Sequence, residues 1–127
     1  MDARGDDVMA RALLVLLLAG LAAGSALGYE TRNRNVLHAA IAYHEGTQAV
    51  GWSTDRRTSR EASTEALKQC GHENCVVVGS VSRGCLALAR ASAKPFVEKG
   101  ATRQEAETKA LKRCGQACEI SAWTCTR

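Results

Sequence analysis

Two kinds of hydrophobic pattern follow one another along the chain after residue 36. Short apolar runs, too short to be helices and bounded by turn residues, predict β-strands. The runs that predict strands lie at 38–43, 48–53, 75–81, 85–89 and 118–125. The stretch 91–100 contains the only proline, Pro95, and is typical of a loop or a poor edge strand.

An eleven-residue segment that predicts a helix occurs twice, at 61–71 and 105–115, and eight of the eleven positions match at an offset of 44 residues. Such agreement indicates an internal duplication. Thr58 and Thr102 stand three residues before the first Glu of each copy, which is the spacing of a capping box at a helix start. Each copy ends in Cys-Gly, and Gly supplies a left-handed helix stop. The Ala-rich face of each helix suits close packing on a sheet.

The resulting order is strand, strand, helix, strand, strand, helix, strand. It predicts an α+β fold in which a β-β-α-β unit is roughly repeated, with the two copies overlapping. We expect one mostly antiparallel sheet with both helices on one face.

The N-terminal part has the pattern of a secretory signal peptide. Residues 12–29 carry no charge, and Leu13 to Leu18 are all Leu or Val. We expect cleavage after Gly28, which leaves a single domain at 29–127. Translation can start at Met1 or Met9. An uncleaved membrane anchor is the alternative, although the run is at the lower limit of the ~17–25 residues that span a bilayer.

Residues 1–28 carry two basic and three acidic residues, so the remaining chain has a net charge of +5. This charge fits an acidic partner, an anionic envelope surface or simple solubility. Nucleic acid is not an expected partner, because no block of Lys and Arg is interleaved with aromatic residues.

All six cysteines lie after the predicted signal peptide, and an even count in a short exported chain indicates disulfides. Six cysteines allow fifteen pairings. The repeat favours Cys70–Cys75 and Cys114–Cys118, each joining a helix end to the next strand. Cys85–Cys125 would then join the two halves. The alternative is a zinc site built from four of these thiols and His72. We expect disulfides, and no metal or cofactor, because export implies an oxidising compartment.

The candidates for catalysis are His38, His44, His72 and several serines. Asp55 is the only Asp after residue 28, so a Ser-His-Asp triad would need it. The pair His44-Glu45 fits a solvated hairpin turn better than an acid–base site. All six cysteines are assigned to disulfides, which leaves no thiol nucleophile. No catalytic residue is therefore assigned. Trp52 and Trp123 are expected to fill the core, with a partner-binding role as the alternative.

Several short blocks resemble a known family of small exported bacterial proteins, that of domain of unknown function 4189. The resemblance covers about Leu37 to Cys125. It rests on Ala40-Ile41-Ala42, Gly51-Trp52-Ser53, Cys75-Val76-Val77, Gly84-Cys85-Leu86-Ala87 and the two Ala-x3-Ala-Leu-x2-Cys blocks ending at Cys70 and Cys114. The family implies export and disulfides, but no agreed activity and no catalytic residues. Some members look like immunity proteins against delivered toxins, and others look like secreted mycobacterial proteins.

The expected function is therefore a periplasmic or secreted binding module, such as an inhibitor or immunity-type protein whose partner is another protein. No membrane association is expected after cleavage. An exported enzyme of unknown class is one alternative, and a surface or structural protein that binds through Trp52 and Trp123 is the other. A deep pocket lined by His44 or His72 would favour the enzyme.

Overall fold

The same four elements occur twice in residues 36–127, the part of the chain that the computed structural model describes. The first unit comprises β1 (His38–His44), β2 (Ala49–Arg56), α1 (Ser59–Cys70) and β3 (Val76–Ser82). The second unit comprises β4 (Cys85–Arg90), β5 (Phe96–Gly100), α2 (Arg103–Cys114) and β6 (Glu119–Cys125). The predicted signal peptide at 1–28 and its cleavage point lie outside the described residues.

Each unit forms its own three-stranded antiparallel sheet with its first strand in the centre. The strand orders are β2-β1-β3 and β5-β4-β6. The pairing of the central strand with the last strand shifts register once in each unit, after Ile41 and after Leu88. The α+β class, the antiparallel pairing and the duplicated β-β-α-β unit are thus confirmed.

The number of sheets differs from the expectation of one sheet with both helices on one face. Ile41 and Tyr43 of β1 share a buried cluster with Leu86 and Leu88 of β4, so the two sheets face each other. The alternate residues of each central strand, all Ala or Cys, pack under a helix on the outer side. Large residues fill the space between sheets, and small ones let each helix approach. The layers are helix, sheet, sheet and helix.

The stretch after Pro95, expected as a loop or a poor edge strand, is the five-residue edge strand β5, which pairs with β4. This strand completes the second unit, so the two copies follow one another and do not overlap.

Both helix starts have the predicted Thr cap. Thr58 Oγ1 accepts from the amide of Glu61 at 3.0 Å, and Thr102 Oγ1 accepts from that of Glu105 at 3.1 Å. Each Glu carboxylate accepts from the amide before the cap, at Arg57 or Ala101, and not from the cap itself. Gly71 follows α1 in the predicted left-handed conformation. Gly115 follows α2 with φ 114° and ψ −172°, so the predicted left-handed stop is wrong for the second helix.

The cysteines lie in the three pairs that the repeat favours. Cys70–Cys75 and Cys114–Cys118 join each helix end to the following strand, and Cys85–Cys125 joins β4 to β6. The third bond therefore lies within the second unit and does not join the two halves, because Cys85 begins that unit. These thiols are not free to form the alternative zinc site. Among the described helices, none is long and apolar enough to cross a membrane.

Candidate functional site

Strand β2 presents one face to α1 and the other to the second sheet. A Cβ at Gly51 would lie 2.2 Å from the Ala66 carbonyl oxygen of α1, so only glycine allows this approach. Ser53 is buried; its Oγ donates to the Ala62 carbonyl at 2.7 Å and accepts from the Ala40 amide at 3.1 Å. Because side chains alternate along a strand, Trp52 and Thr54 point away from α1.

Trp52 lies opposite buried Ile41, but on an edge strand. It is therefore at the rim of the layer between the sheets, and 47% of its surface is exposed. The prediction that it fills the core is wrong.

Trp123 on β6 is 40% exposed and belongs to the opposite face of the second sheet, above Ala87. The Arg103 guanidinium at the start of α2 lies 3.9 Å from the centre of its indole ring, within cation–π range. Glu107 Oε1 forms an ion pair with Arg103 Nε at 2.6 Å. The indole is thus fixed from one side and open on the other.

A groove of about 490 Å³ joins the two tryptophans. Trp52 and Thr54 line one side, and the five consecutive residues Ser121 to Cys125 line the other. Consecutive residues of a strand point to opposite faces, so a groove lined by all five follows the edge of β6.

The two edge strands are tied together at one end of this groove. Thr124 Oγ1 donates to the Ser53 carbonyl at 2.7 Å, and Thr54 Oγ1 donates to the Cys125 carbonyl. Asp55 accepts from the Arg127 amide at 2.8 Å and pairs with the Arg127 guanidinium at 3.2 Å. These contacts hold Trp52 and Trp123 in fixed relative positions.

The flanks of the groove are cationic. Arg90 Nε donates to Ser121 Oγ at 2.7 Å, and another Arg90 nitrogen donates to Gln48. Glu119 is opposite Arg90 in the pairing, yet within residues 36–127 no carboxylate oxygen lies within 4.0 Å of Arg90. Arg90 is therefore a cation held by neutral partners beside the groove.

The corresponding edge on the other side of the molecule is closed. Val97 faces Leu88 as Trp52 faces Ile41, and Gly79 faces Ile41 as Ala122 faces Leu88. Val97 packs so closely over Gly79 that a Cβ there would lie 2.6 Å from Val97 Cγ1. The duplication therefore produced two related edges, of which one carries tryptophans and a groove.

The candidate catalytic residues are not assembled into a triad. His44 and His72 stack with ring centres 4.0 Å apart, and each Nδ1 accepts a backbone N–H, from Thr47 and Asn74. Asp55 is paired with Arg127, and His38 begins β1 opposite Arg56 and Ser82. None of the three histidines lines the tryptophan groove.

The sequence named both tryptophans but did not place them together, because nothing local shows that β2 and β6 are edge strands lying side by side. The sequence pattern gives no indication of Arg90 or Arg103. The one signal for the tryptophans is that the repeat does not preserve them: positions 97 and 80, which match Trp52 and Trp123 in the other copy, are not tryptophan.

Comparison with known proteins agrees with the fold. The NMR structure of Rv1813c from Mycobacterium tuberculosis is similar, with 32% sequence identity, a TM-score of 0.57, and coverage of 70% of this chain and 75% of that chain. A comparison with curated proteins found no match. The family described as Domain of unknown function (DUF4189) matches residues 38–125. Since this match spans more than half of the sequence, the chain belongs to that family.

Proposed function

We propose that this protein is an exported, disulfide-stabilised binding module that recognises another protein through the groove between Trp52 and Trp123. The observation that supports this proposal is that two half-exposed indoles line one groove, in a domain whose core consists mostly of small residues. Tryptophan and arginine are the residues most enriched among side chains that dominate binding energy at protein interfaces.

Rigidity of the groove supports binding. Its walls are tied by the Thr124–Ser53 and Thr54–Cys125 hydrogen bonds and by the cross-strand bond Cys85–Cys125. A site that is ordered before binding loses less conformational entropy when the partner docks. An inhibitor or immunity-type protein, which must hold its target firmly, fits such a site.

The lining also supports binding rather than catalysis. The residues around the groove supply indoles, hydroxyls, a methyl group and a disulfide, and the histidines lie elsewhere. General acid–base or nucleophilic chemistry needs a base within hydrogen-bond reach of the reacting group.

Export rests on the uncharged leader and on three disulfides, which persist in oxidising compartments. We expect processing between Gly28 and Tyr29, with a periplasmic or secreted mature form. Intact-mass measurement of the exported protein tests this. A mature form that retains Leu13 to Leu18 would contradict it.

The binding role is tested by cross-linking in intact cells. The exported full-length protein, its Trp52→Ala/Trp123→Ala variant and a Val76→Ala control are compared. Val76 is 59% exposed on β3, so the control also removes exposed apolar surface. The wild type and the control should capture the same partner protein, and the double variant should lose it while its circular-dichroism spectrum shows that it remains folded. Equal capture by all three would refute the proposal.

A further inference from the structure

We infer that the segment recognised in this groove is an extended, acidic stretch of the partner that adds as a strand to the free edge of β6. The inference rests on the proposed binding role and specifies its ligand. It follows from the backbone register of β6 and from the cations beside it.

The register of β6 turns the backbone of Trp123 towards the groove. Cys85 and Cys125 are directly opposite with Cα atoms 4.0 Å apart, the short spacing of a non-hydrogen-bonded antiparallel pair. Such pairs alternate with hydrogen-bonded ones, so Ala87 and Trp123, two residues further along, are also non-hydrogen-bonded. The N–H and C=O of Trp123 therefore point away from β4.

One contact confirms this direction. The Cys125 carbonyl, which by the same alternation points away from β4, accepts from Thr54 of β2. At Trp123 the described residues supply no such acceptor or donor, and β6 has no strand partner other than β4. A segment in extended conformation can satisfy both backbone groups by strand addition, which is a common mode of peptide recognition.

The cations determine which segment fits. Arg103 uses Nε for Glu107, and Arg90 uses Nε and one terminal nitrogen for Ser121 and Gln48. The remaining guanidinium N–H groups have no partner within residues 36–127. Arg103 flanks Trp123 on the helix side of the second sheet. Arg90 reaches Ser121, at the register shift of β6, from the side that faces the first sheet. Carboxylates bind guanidinium edges with strong, charge-assisted hydrogen bonds. The net charge of +5 outside residues 1–28 favours the same ligand at long range.

The test starts from a displayed library of random ten-residue peptides, selected on the oxidised exported protein. Selected peptides should be rich in Asp and Glu next to an aromatic or large apolar residue. Replacing the acidic residues of a selected peptide with Asn and Gln should weaken its binding about tenfold. Methylating alternate backbone nitrogens should weaken it similarly, because a strand pairs through alternate residues.

Protein variants complete the design. Arg103→Gln should reduce affinity for the acidic peptide about tenfold more than it reduces affinity for the neutral version, because only the acidic peptide loses a charged partner. Arg113→Gln is the matched control, since Arg113 is also on α2 and paired with a Glu, at 3.0 Å, but away from the groove. It should change neither affinity.

Two results would overturn the inference. Peptides that need both tryptophans but bind equally well in acidic and neutral form would refute acidic recognition and leave the binding role standing. Failure of every selected peptide to depend on Trp52 and Trp123 would refute the inference as well. The cross-linking experiment would then decide the binding role on its own.

Discussion

At the scale of single residues, small side chains decide how closely the layers pack. Gly51 brings β2 against the backbone of α1, and alanines on β1 and β4 do the same under both helices. The core contains few large residues: Tyr43, Ile41, Leu86 and Leu88 are the largest fully buried side chains in the described part. Stability therefore depends on close backbone approach and on disulfides more than on large apolar contacts.

The substitution Gly51→Ala tests this close approach. Its Cβ would lie 2.2 Å from Ala66 O and Cys70 N, backbone atoms that cannot rotate away. The free energy of unfolding should fall by about 2–3 kcal/mol in denaturant melts. Gly46→Ala is the control, because its nearest neighbour is the exposed His44 ring at 3.0 Å. Equal midpoints for the two variants would contradict the account.

Glu105 provides a pH-dependent contribution. The Lys109 ammonium and the Ala101 amide, both hydrogen-bonded to the carboxylate, lower the pKa of Glu105 below its usual value of 4.5. A lowered folded-state pKa stabilises the protein above the unfolded pKa, and this contribution is lost as the pH falls through the folded pKa. Glu105→Gln should therefore be less stable than the wild type at about pH 7, and the difference should shrink as the pH falls through the folded pKa of Glu105. A difference that persists or grows in acid would contradict this assignment.

The tryptophans show where residue-level prediction fails. Burial of a large aromatic residue depends on whether its strand is central or an edge, and that is set by pairing with distant strands. Trp52 is next to Gly51 and Ser53, which are both in close contact with α1, so nothing in the local pattern distinguishes it from a core residue.

At the scale of elements, both helices are specified by local signals. The Thr caps and the Gly that follows each helix act within four residues, so the sequence was enough to place both helix ends. The local sequence predicts strand β5 less clearly than the helices, because its five residues follow Pro95 and form a strand only by pairing with β4.

The caps themselves can be measured. Thr58→Ala and Thr102→Ala should each lower the free energy of unfolding by about 1 kcal/mol, since each leaves an N–H of the first turn without its acceptor. Thr64→Ala and Thr108→Ala, at exposed positions inside the same helices, should be neutral or slightly stabilising. Cap variants that melt like these controls would show that the hydroxyls do not stabilise the helix starts.

At the scale of the whole molecule, the duplication was visible in the sequence and the separation into two sheets was not. The central strands are apolar on both faces, with Ala alternating with larger residues, and this pattern fits burial on both sides. A single sheet covered by helices on one face would leave one of those faces exposed, which the pattern itself argues against. The sequence does not predict β5 as a clear strand. Without it the second unit has only two predicted strands, which do not suggest a separate sheet.

The three disulfides should contribute unequally. Their sequence separations are 40 residues for Cys85–Cys125, 5 for Cys70–Cys75 and 4 for Cys114–Cys118. The chain-entropy model gives about 4 kcal/mol for the long loop and about 2 for each short one. Paired Cys→Ala variants should follow this order in denaturant melts. Non-reducing peptide mapping checks the pairing, and a Cys70–Cys114 peptide would contradict it.

The groove between Trp52 and Trp123 is the central claim, and NMR mapping of the bound partner tests it most directly. The amide and indole N–H spectrum of the nitrogen-labelled protein is recorded with and without the partner recovered by cross-linking. The account predicts that the largest shifts occur at both indole N–H signals and at the amides of residues 121–125, with the amides of His44 and His72 unchanged. Shifts centred on the two histidines or on the outer faces of α1 and α2, with both indole signals unmoved, would contradict it.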